Sequence, residues 1–360
     1  MTTPFEVPLR SEISRIVSYI PGTQIKDLKE KFNFEHVIKL ASNENPLGSS
    51  PNVKKILNKS FSDIRLYPDG EAKALRTSLS DQLKVNVNNI IVGNGSNELI
   101  VLLALMILKP GDQVVFGSPS FPVYSIVSSM FGSIAKPVAL TNYTFDLEKL
   151  LDNITSKTKI VFICNPNNPT GTIVSAIKIE EFLKKISSKI LVVLDEAYVE
   201  YVQDQACKDT IQLLHRYSNL VILRTFSKAY GLAGLRVGYG IAHVDLISNL
   251  QKVRQPFNVN FLALKTAEVA LNDQKFLKQV IHLNTRMRTL LTSQLYNMGL
   301  SVPKSESNFV YIEIKDAYKI YEKLLKKGII IRPIQKNSIR VTTGTETQTM
   351  SFLNQFKKII

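Results

Sequence analysis

The sequence predicts an α/β fold: a large domain with a mostly parallel sheet flanked by helices, joined to a smaller α+β domain. Three observations predict it. Short, wholly apolar runs recur between amphipathic helical stretches, the pattern of strands buried on both faces of a parallel sheet. The most polar, turn-forming motifs all fall directly after those runs, where open α/β sheets carry their sites. Over roughly the last hundred residues the rhythm changes to one long helical pattern followed by short strands.

The elements follow in order. Ile90-Ile91-Val92 reads as a strand leading through Gly93-Asn94-Gly95-Ser96-Asn97 into a helix from about Glu98. The apolar stretch 99–108 suits a buried core helix and falls far short of the ~20 residues that cross a bilayer. Val114-Val115-Phe116 leads into a helix over about 123–130. Residues 159–164 (KIVFIC), 190–194 (ILVVL, ending at Asp195) and 220–223 (LVIL, ending near Thr225) are further parallel strands with right-handed crossovers. A helical pattern spans about 260–295, then strands at 308–314, 328–332 and 338–341, with a helix near 318–326. Thr345-x-x-Gln348 reads as a capping box opening a final helix. These patterns divide the chain into a large domain, 46–258, and a small domain assembled from 1–45 and 259–360.

Composition narrows the class. The 360 residues are 44% hydrophobic, too apolar for a disordered chain. Two cysteines, Cys164 and Cys207, cannot form a disulfide framework, which suggests a reducing compartment. The N-terminus lacks the apolar core of a signal peptide, so the expected address is the cytoplasm. Forty-five Lys and Arg against 30 Asp and Glu give a net charge of +15. A nucleic-acid footprint would cluster those charges. Here they are interleaved with acids, and the densest stretches, Lys184-Lys185 and 323–327, lie on amphipathic helical patterns. The bland reading is a Lys-rich solvated surface, with an anionic small substrate as a third option.

Four segments carry candidate chemistry. Gly93-Asn94-Gly95-Ser96-Asn97, between a strand and a helix, suits either a phosphate cradle at a helix N-terminus or a tight turn capped by Ser96. Residues 165–171 (NPNNPTG) form a proline-stiffened loop that presents several Asn side chains. Asp195-Glu196-Ala197-Tyr198 places a carboxylate at the end of a buried strand. There it needs a cationic partner, such as a protonated ring nitrogen, unless it caps a helix. Residues 225–236 (TFSKAYGLAGLR) place Lys228 among small residues, suited to a lowered pKa and Schiff-base chemistry, beside Thr225, Ser227 and Arg236, the donor set for a phosphate. The four His are widely spaced with no metal-ligand pattern, and no GxSxG occurs.

In combination, GNGSNE, NPNNPTG, DEAY and SKAYGLAGLRVGY resemble the fold-type-I pyridoxal-phosphate aminotransferases. Within that family LASNENP (40–46), RLYPDG (65–70), RQPFNVN (254–260) and IRVTTGT (339–345) resemble the histidinol-phosphate aminotransferases, in order and over nearly the whole chain. The resemblance implies pyridoxal 5'-phosphate as cofactor and transamination of histidinol phosphate with 2-oxoglutarate, giving imidazole-acetol phosphate and glutamate. It implies that Lys228 holds the cofactor covalently and then shuttles a proton. Asp195 would pair with the pyridinium nitrogen, and Tyr198 and Asn168 would bond the ring hydroxyl oxygen. Tyr124 would stack on the ring. Ser96, Asn97, Thr225, Ser227 and Arg236 would hold the phosphate, joined by Tyr67 from the second subunit of a homodimer. Asn97 stands where many members carry Asp, which a backbone contact tolerates. Arg340, with Arg332 as second candidate, would bind the substrate anion, and Tyr19 and Asn45 would lie near the substrate side chain. The rival readings are an aromatic amino-acid aminotransferase or a phospho-amino-acid decarboxylase of the same fold and, from charge alone, a basic nucleic-acid-binding protein.

Overall fold

The computed structural model describes residues 7, 8, 10–16, 21–207 and 210–360. In chain order the helices are α1 Ile25–Phe32, α2 Pro51–Ser60, α3 Lys73–Leu83, α4 Ser96–Ile107, α5 Val123–Met130, α6 Leu147–Asp152, α7 Ala176–Lys185, α8 Val244–Val253, α9 Phe261–Asn272, α10 Gln274–Asn297, α11 Ala317–Leu325 and α12 Glu346–Ile359. The strands are β1 Ile38–Lys39, β2 Ile90–Gly93, β3 Gln113–Ser118, β4 Ile134–Ala139, β5 Thr158–Cys164, β6 Leu191–Asp195, β7 Leu220–Thr225, β8 Gly238–Ala242, β9 Phe309–Glu313, β10 Ile329–Ile330, β11 Arg332–Gln335 and β12 Ser338–Thr342.

Seven strands form the main sheet in the order β2-β8-β7-β6-β5-β3-β4. All pairs are parallel except those of β8, which runs antiparallel to both β2 and β7. The central strands are buried along nearly their whole length, which is why they read as apolar runs. Removing such side chains from water stabilises the sheet by about 1.5–3 kcal/mol for each large one. Two strands have no such run. In β8 two glycines interrupt it, and β4 is an edge strand with Pro137 and several exposed side chains.

A second core surrounds the three-stranded antiparallel sheet β11-β12-β9. Leu40 belongs to that core, and β1 pairs with β10, so part of the N-terminal segment joins the C-terminal unit. The change of character at 259 and the change of core do not coincide. One face of α9 and the first half of α10 pack into the large core, through Ala263, Ala267, Leu271 and Val280. Leu291 and Leu295, further along α10, belong to the small one. The 24-residue helix therefore crosses from one core to the other. At its head α12 has the capping box, with Thr345 accepting from the Gln348 N–H and Gln348 accepting from the Thr345 N–H.

Candidate active site

The carboxyl ends of β5, β6 and β7 and the turn after β2 open onto one cavity, closed from the other side by residues of β11 and β12 and by the segment 41–43. Among the described residues no group of three His, Cys, Asp or Glu could hold a metal ion, and no helix is long and apolar enough to cross a membrane.

Asp195 ends β6 almost fully buried. Its Oδ2 accepts a hydrogen bond from the Tyr124 hydroxyl at 2.7 Å, while Oδ1 is buried without a protein partner. Burial pushes its pKa up to about 6, against the lowering effect of the Tyr124 bond. An orphaned carboxylate oxygen facing the cavity is the complement of a protonated ring nitrogen.

Lys228 projects from the loop after β7, and its amine donates to the Ser42 carbonyl at 3.2 Å. It lies 5.8 Å from the centre of the Tyr198 ring. Burial, and then the nearby Arg340 guanidinium, pull its pKa down to about 8. A lysine so placed has a neutral fraction at ordinary pH and can attack a carbonyl. Burial raises the pKa of the Tyr198 hydroxyl, which accepts from Asn43 Nδ2 at 2.9 Å.

The glycine turn between β2 and α4 leaves the first N–H groups of α4 at the cavity. Gly95 has φ +78, and a Cβ there would lie 2.6 Å from Arg236 Nη2. A Cβ on Gly238 would lie 2.4 Å from the Ser96 nitrogen. Thr225 Oγ1 accepts from the Ser227 N–H at 3.1 Å, and Arg236 donates to Ser227 Oγ at 3.3 Å. The side-chain oxygen of Asn97 is buried with no protein partner. Backbone N–H groups, two hydroxyls and a guanidinium around a helix N-terminus fit a phosphate monoester.

From the small unit, Arg340 donates to Asn168 Oδ1 and, at 2.6 Å, to the Ala41 carbonyl, with its guanidinium 5.2 Å from the Phe309 ring centre. Arg332 lines the same cavity. Of the residues singled out in the sequence, Ser96, Asn97, Asn168, Asp195, Tyr198, Thr225, Ser227, Lys228, Arg236, Arg332 and Arg340 all line it.

Four others do not. Tyr124 cannot stack on a ring in the cavity. The first turn of α5 directs it inward, fully buried, with its ring stacked on Phe162 at 4.5 Å and its hydroxyl behind Asp195. Phe121, in the turn before α5, lies on the wall instead. Asn45 is off the wall too. Its side chain pins the backbone, donating to the Ala229 carbonyl at 2.9 Å and accepting from the Leu47 N–H at 3.0 Å. Asn43 takes the cavity position. Tyr67 is 82% exposed and stacked on Phe257 at 4.7 Å, away from this cavity. Tyr19 lies outside the described residues. Asn43 stands two residues before Asn45 in LASNENP, and Phe121 three residues before Tyr124. Only the fold decides which of two neighbouring residues faces inward.

A parallel sheet whose strand ends gather a half-buried lysine, an orphaned aspartate oxygen and a phosphate cradle defines a class, and the comparisons agree. The model of the family aminotransferase class I and II matches residues 35–356, and the chain belongs to that family. Within it the chain is similar to histidinol-phosphate aminotransferases. That of Caldicellulosiruptor saccharolyticus is 44% identical over 98% of this chain and 99% of its own length. That of Moorella thermoacetica is 40% identical over 98% and 92%. The crystal structure of histidinol-phosphate aminotransferase from Sinorhizobium meliloti in complex with pyridoxal-5'-phosphate superposes with a TM-score of 0.90 at 26% identity, covering 98% of this chain and 97% of that one.

Proposed function

We propose that the chain catalyses pyridoxal-phosphate-dependent transamination of histidinol phosphate with 2-oxoglutarate, giving imidazole-acetol phosphate and glutamate. The observation that carries the reading is the meeting of Lys228, the unpartnered Asp195 Oδ1 and two separate sets of cations in one cavity. One set is Arg236 with the α4 N-terminus. The other is Arg332 and Arg340 from the C-terminal sheet. Two anions are thereby accommodated, one on the cofactor and one on the substrate. The relatives named above are histidinol-phosphate aminotransferases, which supports this choice of substrate.

When bound, pyridoxal phosphate supplies an electron-withdrawing pyridine ring that acidifies the substrate carbon bearing nitrogen. The chain's residues do the rest. Asp195 keeps the proton on the ring nitrogen. The amine of Lys228 takes the proton from that substrate carbon, and its lowered pKa suits a base near neutral pH. Tyr198 and Asn168 would bond the ring oxygen, and Phe121 would cover a ring face. Ser96, Asn97, Thr225, Ser227 and Arg236 would hold the cofactor phosphate. Arg340 and Arg332 bind the substrate phosphate or the glutamate carboxylate through planar guanidinium forks.

The reading includes a cytoplasmic homodimer. Phe61, Ile64, Leu66, Tyr67 and Phe257 are large apolar side chains left exposed on the single chain. A patch of that kind suits a partner surface, across which Tyr67 would reach the neighbouring cofactor phosphate. The small unit, with Arg332 and Arg340, is the part that would close over substrate. The decisive variant is Lys228→Ala. It should lose both turnover and the visible absorbance of lysine-bound cofactor, and turnover at the wild-type rate would overturn the assignment.

A further inference from the structure

Three consecutive residues, Ala41, Ser42 and Asn43, each hold a different functional side chain. The Ala41 carbonyl accepts from Arg340, the Ser42 carbonyl accepts from Lys228, and the Asn43 amide donates to the Tyr198 hydroxyl. We propose that Asn43 is the positioning residue of this bracket: it orients Tyr198 so that the hydroxyl proton points into the cavity, and it ties that orientation to the strand that carries Arg340. The proposal rests on the reading of Tyr198 as a ligand of the cofactor's ring oxygen.

The network fixes the direction of each hydrogen bond. Asn43 is almost fully buried and holds φ +57, a left-handed conformation that Asn tolerates and most residues do not. Thr342 Oγ1 accepts from the Asn43 backbone N–H at 3.0 Å. The proton of that hydroxyl then goes to Asn43 Oδ1, also at 3.0 Å. With its oxygen taken, the amide presents Nδ2 to Tyr198. A tyrosine oxygen that accepts from Nδ2 cannot also give its proton to Asn43, so the proton remains for an acceptor in the cavity. Asn308 pins the same residue by donating to the Asn43 carbonyl at 3.0 Å. Thr342 and Arg340 stand two residues apart on β12, on the same face. The charged or titratable groups around Tyr198 are Arg340, Cys164, Asp195 and Lys228.

The test is a pH titration of the visible absorbance of lysine-bound cofactor in the holoenzyme, for wild type, Tyr198→Phe, Asn43→Ala, Asn43→Gly, Asn43→Asp and the pair Asn43→Ala with Tyr198→Phe. Donation from Tyr198 makes the ring oxygen less basic and loosens the proton it shares with the neighbouring nitrogen. Tyr198→Phe should therefore raise the titration midpoint by about one pH unit, the scale of one hydrogen bond to a charged oxygen. Asn43→Ala and Asn43→Gly should raise it in the same direction. Asn43→Asp should raise it at least as far, because a carboxylate captures the Tyr198 proton. The Asn43→Ala shift should vanish in the Tyr198→Phe background. Glycine adopts φ +57 freely, so Asn43→Gly carries the test should Asn43→Ala not fold. Asn43 variants that titrate as wild type while Tyr198→Phe shifts would overturn the inference alone. A Tyr198→Phe that titrates as wild type would overturn the reading of Tyr198 and the inference with it.

Discussion

Gly238→Ala should weaken the cofactor phosphate cradle without unfolding the sheet. Gly238 opens β8 between Gly93 of β2 and Thr225 of β7, so three strand ends meet at that point. A Cβ there would lie 2.4 Å from the Ser96 nitrogen, 2.9 Å from the Gly95 carbonyl carbon and 3.0 Å from the Arg224 oxygen, all of them backbone. Ordinary contact begins near 3.4 Å, so the turn that opens α4 must retreat by about 1 Å. That displacement removes one N–H from the phosphate. A hydrogen bond to a charged group is worth about 1.5–3 kcal/mol, which is roughly 10- to 100-fold in cofactor affinity at 1.4 kcal/mol per decade. The assay is equilibrium binding of pyridoxal phosphate to dialysed protein, followed by visible absorbance, with circular dichroism to confirm the fold. Gly234→Ala is the matched control, since a Cβ there meets nothing within 4 Å. Wild-type affinity in a folded Gly238→Ala protein would refute the reasoning.

Two further predictions concern buried charge. Arg224 Nη2 lies 2.7 Å from Glu196 Oε2, and the glutamate is almost fully buried. Arg224→Met strands that carboxylate and should cost about 3–5 kcal/mol in urea denaturation, with much of the loss restored by adding Glu196→Gln; a loss below about 1 kcal/mol would contradict this. The amine of Lys228 has its pKa lowered from 10.5 to about 8, so between those values the unfolded chain holds more protons and stability rises with pH. In cofactor-free protein Lys228→Met should therefore be more stable than wild type at pH 7, with the advantage fading as the pH climbs through 8 towards 10. An advantage independent of pH would show that the charge on Lys228 is not its cause.

The features legible in the sequence were those written as local pattern. Strands β5, β6 and β7 are buried on both faces, so their residues form continuous apolar runs, and the polar side chains at their ends could be assigned to one crevice. Other features depend on contacts distant along the chain. Strand β8 is not legible in the sequence because its glycines, required by the close approach of Ser96, break the apolar run. Tyr124 and Phe121 lie three residues apart, and only the direction of α5 decides which faces Asp195 from behind and which lines the cavity. In LASNENP the choice between Asn43 and Asn45 depends on Thr342, about three hundred residues away. The net charge of +15 alone would suit a polyanion partner, whereas the cations that line the cavity are Lys228, Arg236, Arg332 and Arg340.

The central claim is tested most directly by a panel of amino donors offered with 2-oxoglutarate to the cofactor-loaded protein, with glutamate measured as product. The account predicts a catalytic efficiency for histidinol phosphate well above that for phenylalanine or tyrosine, and its collapse in Arg340→Ala. Glutamate formed preferentially from the aromatic amino acids, or no glutamate from histidinol phosphate, would contradict it.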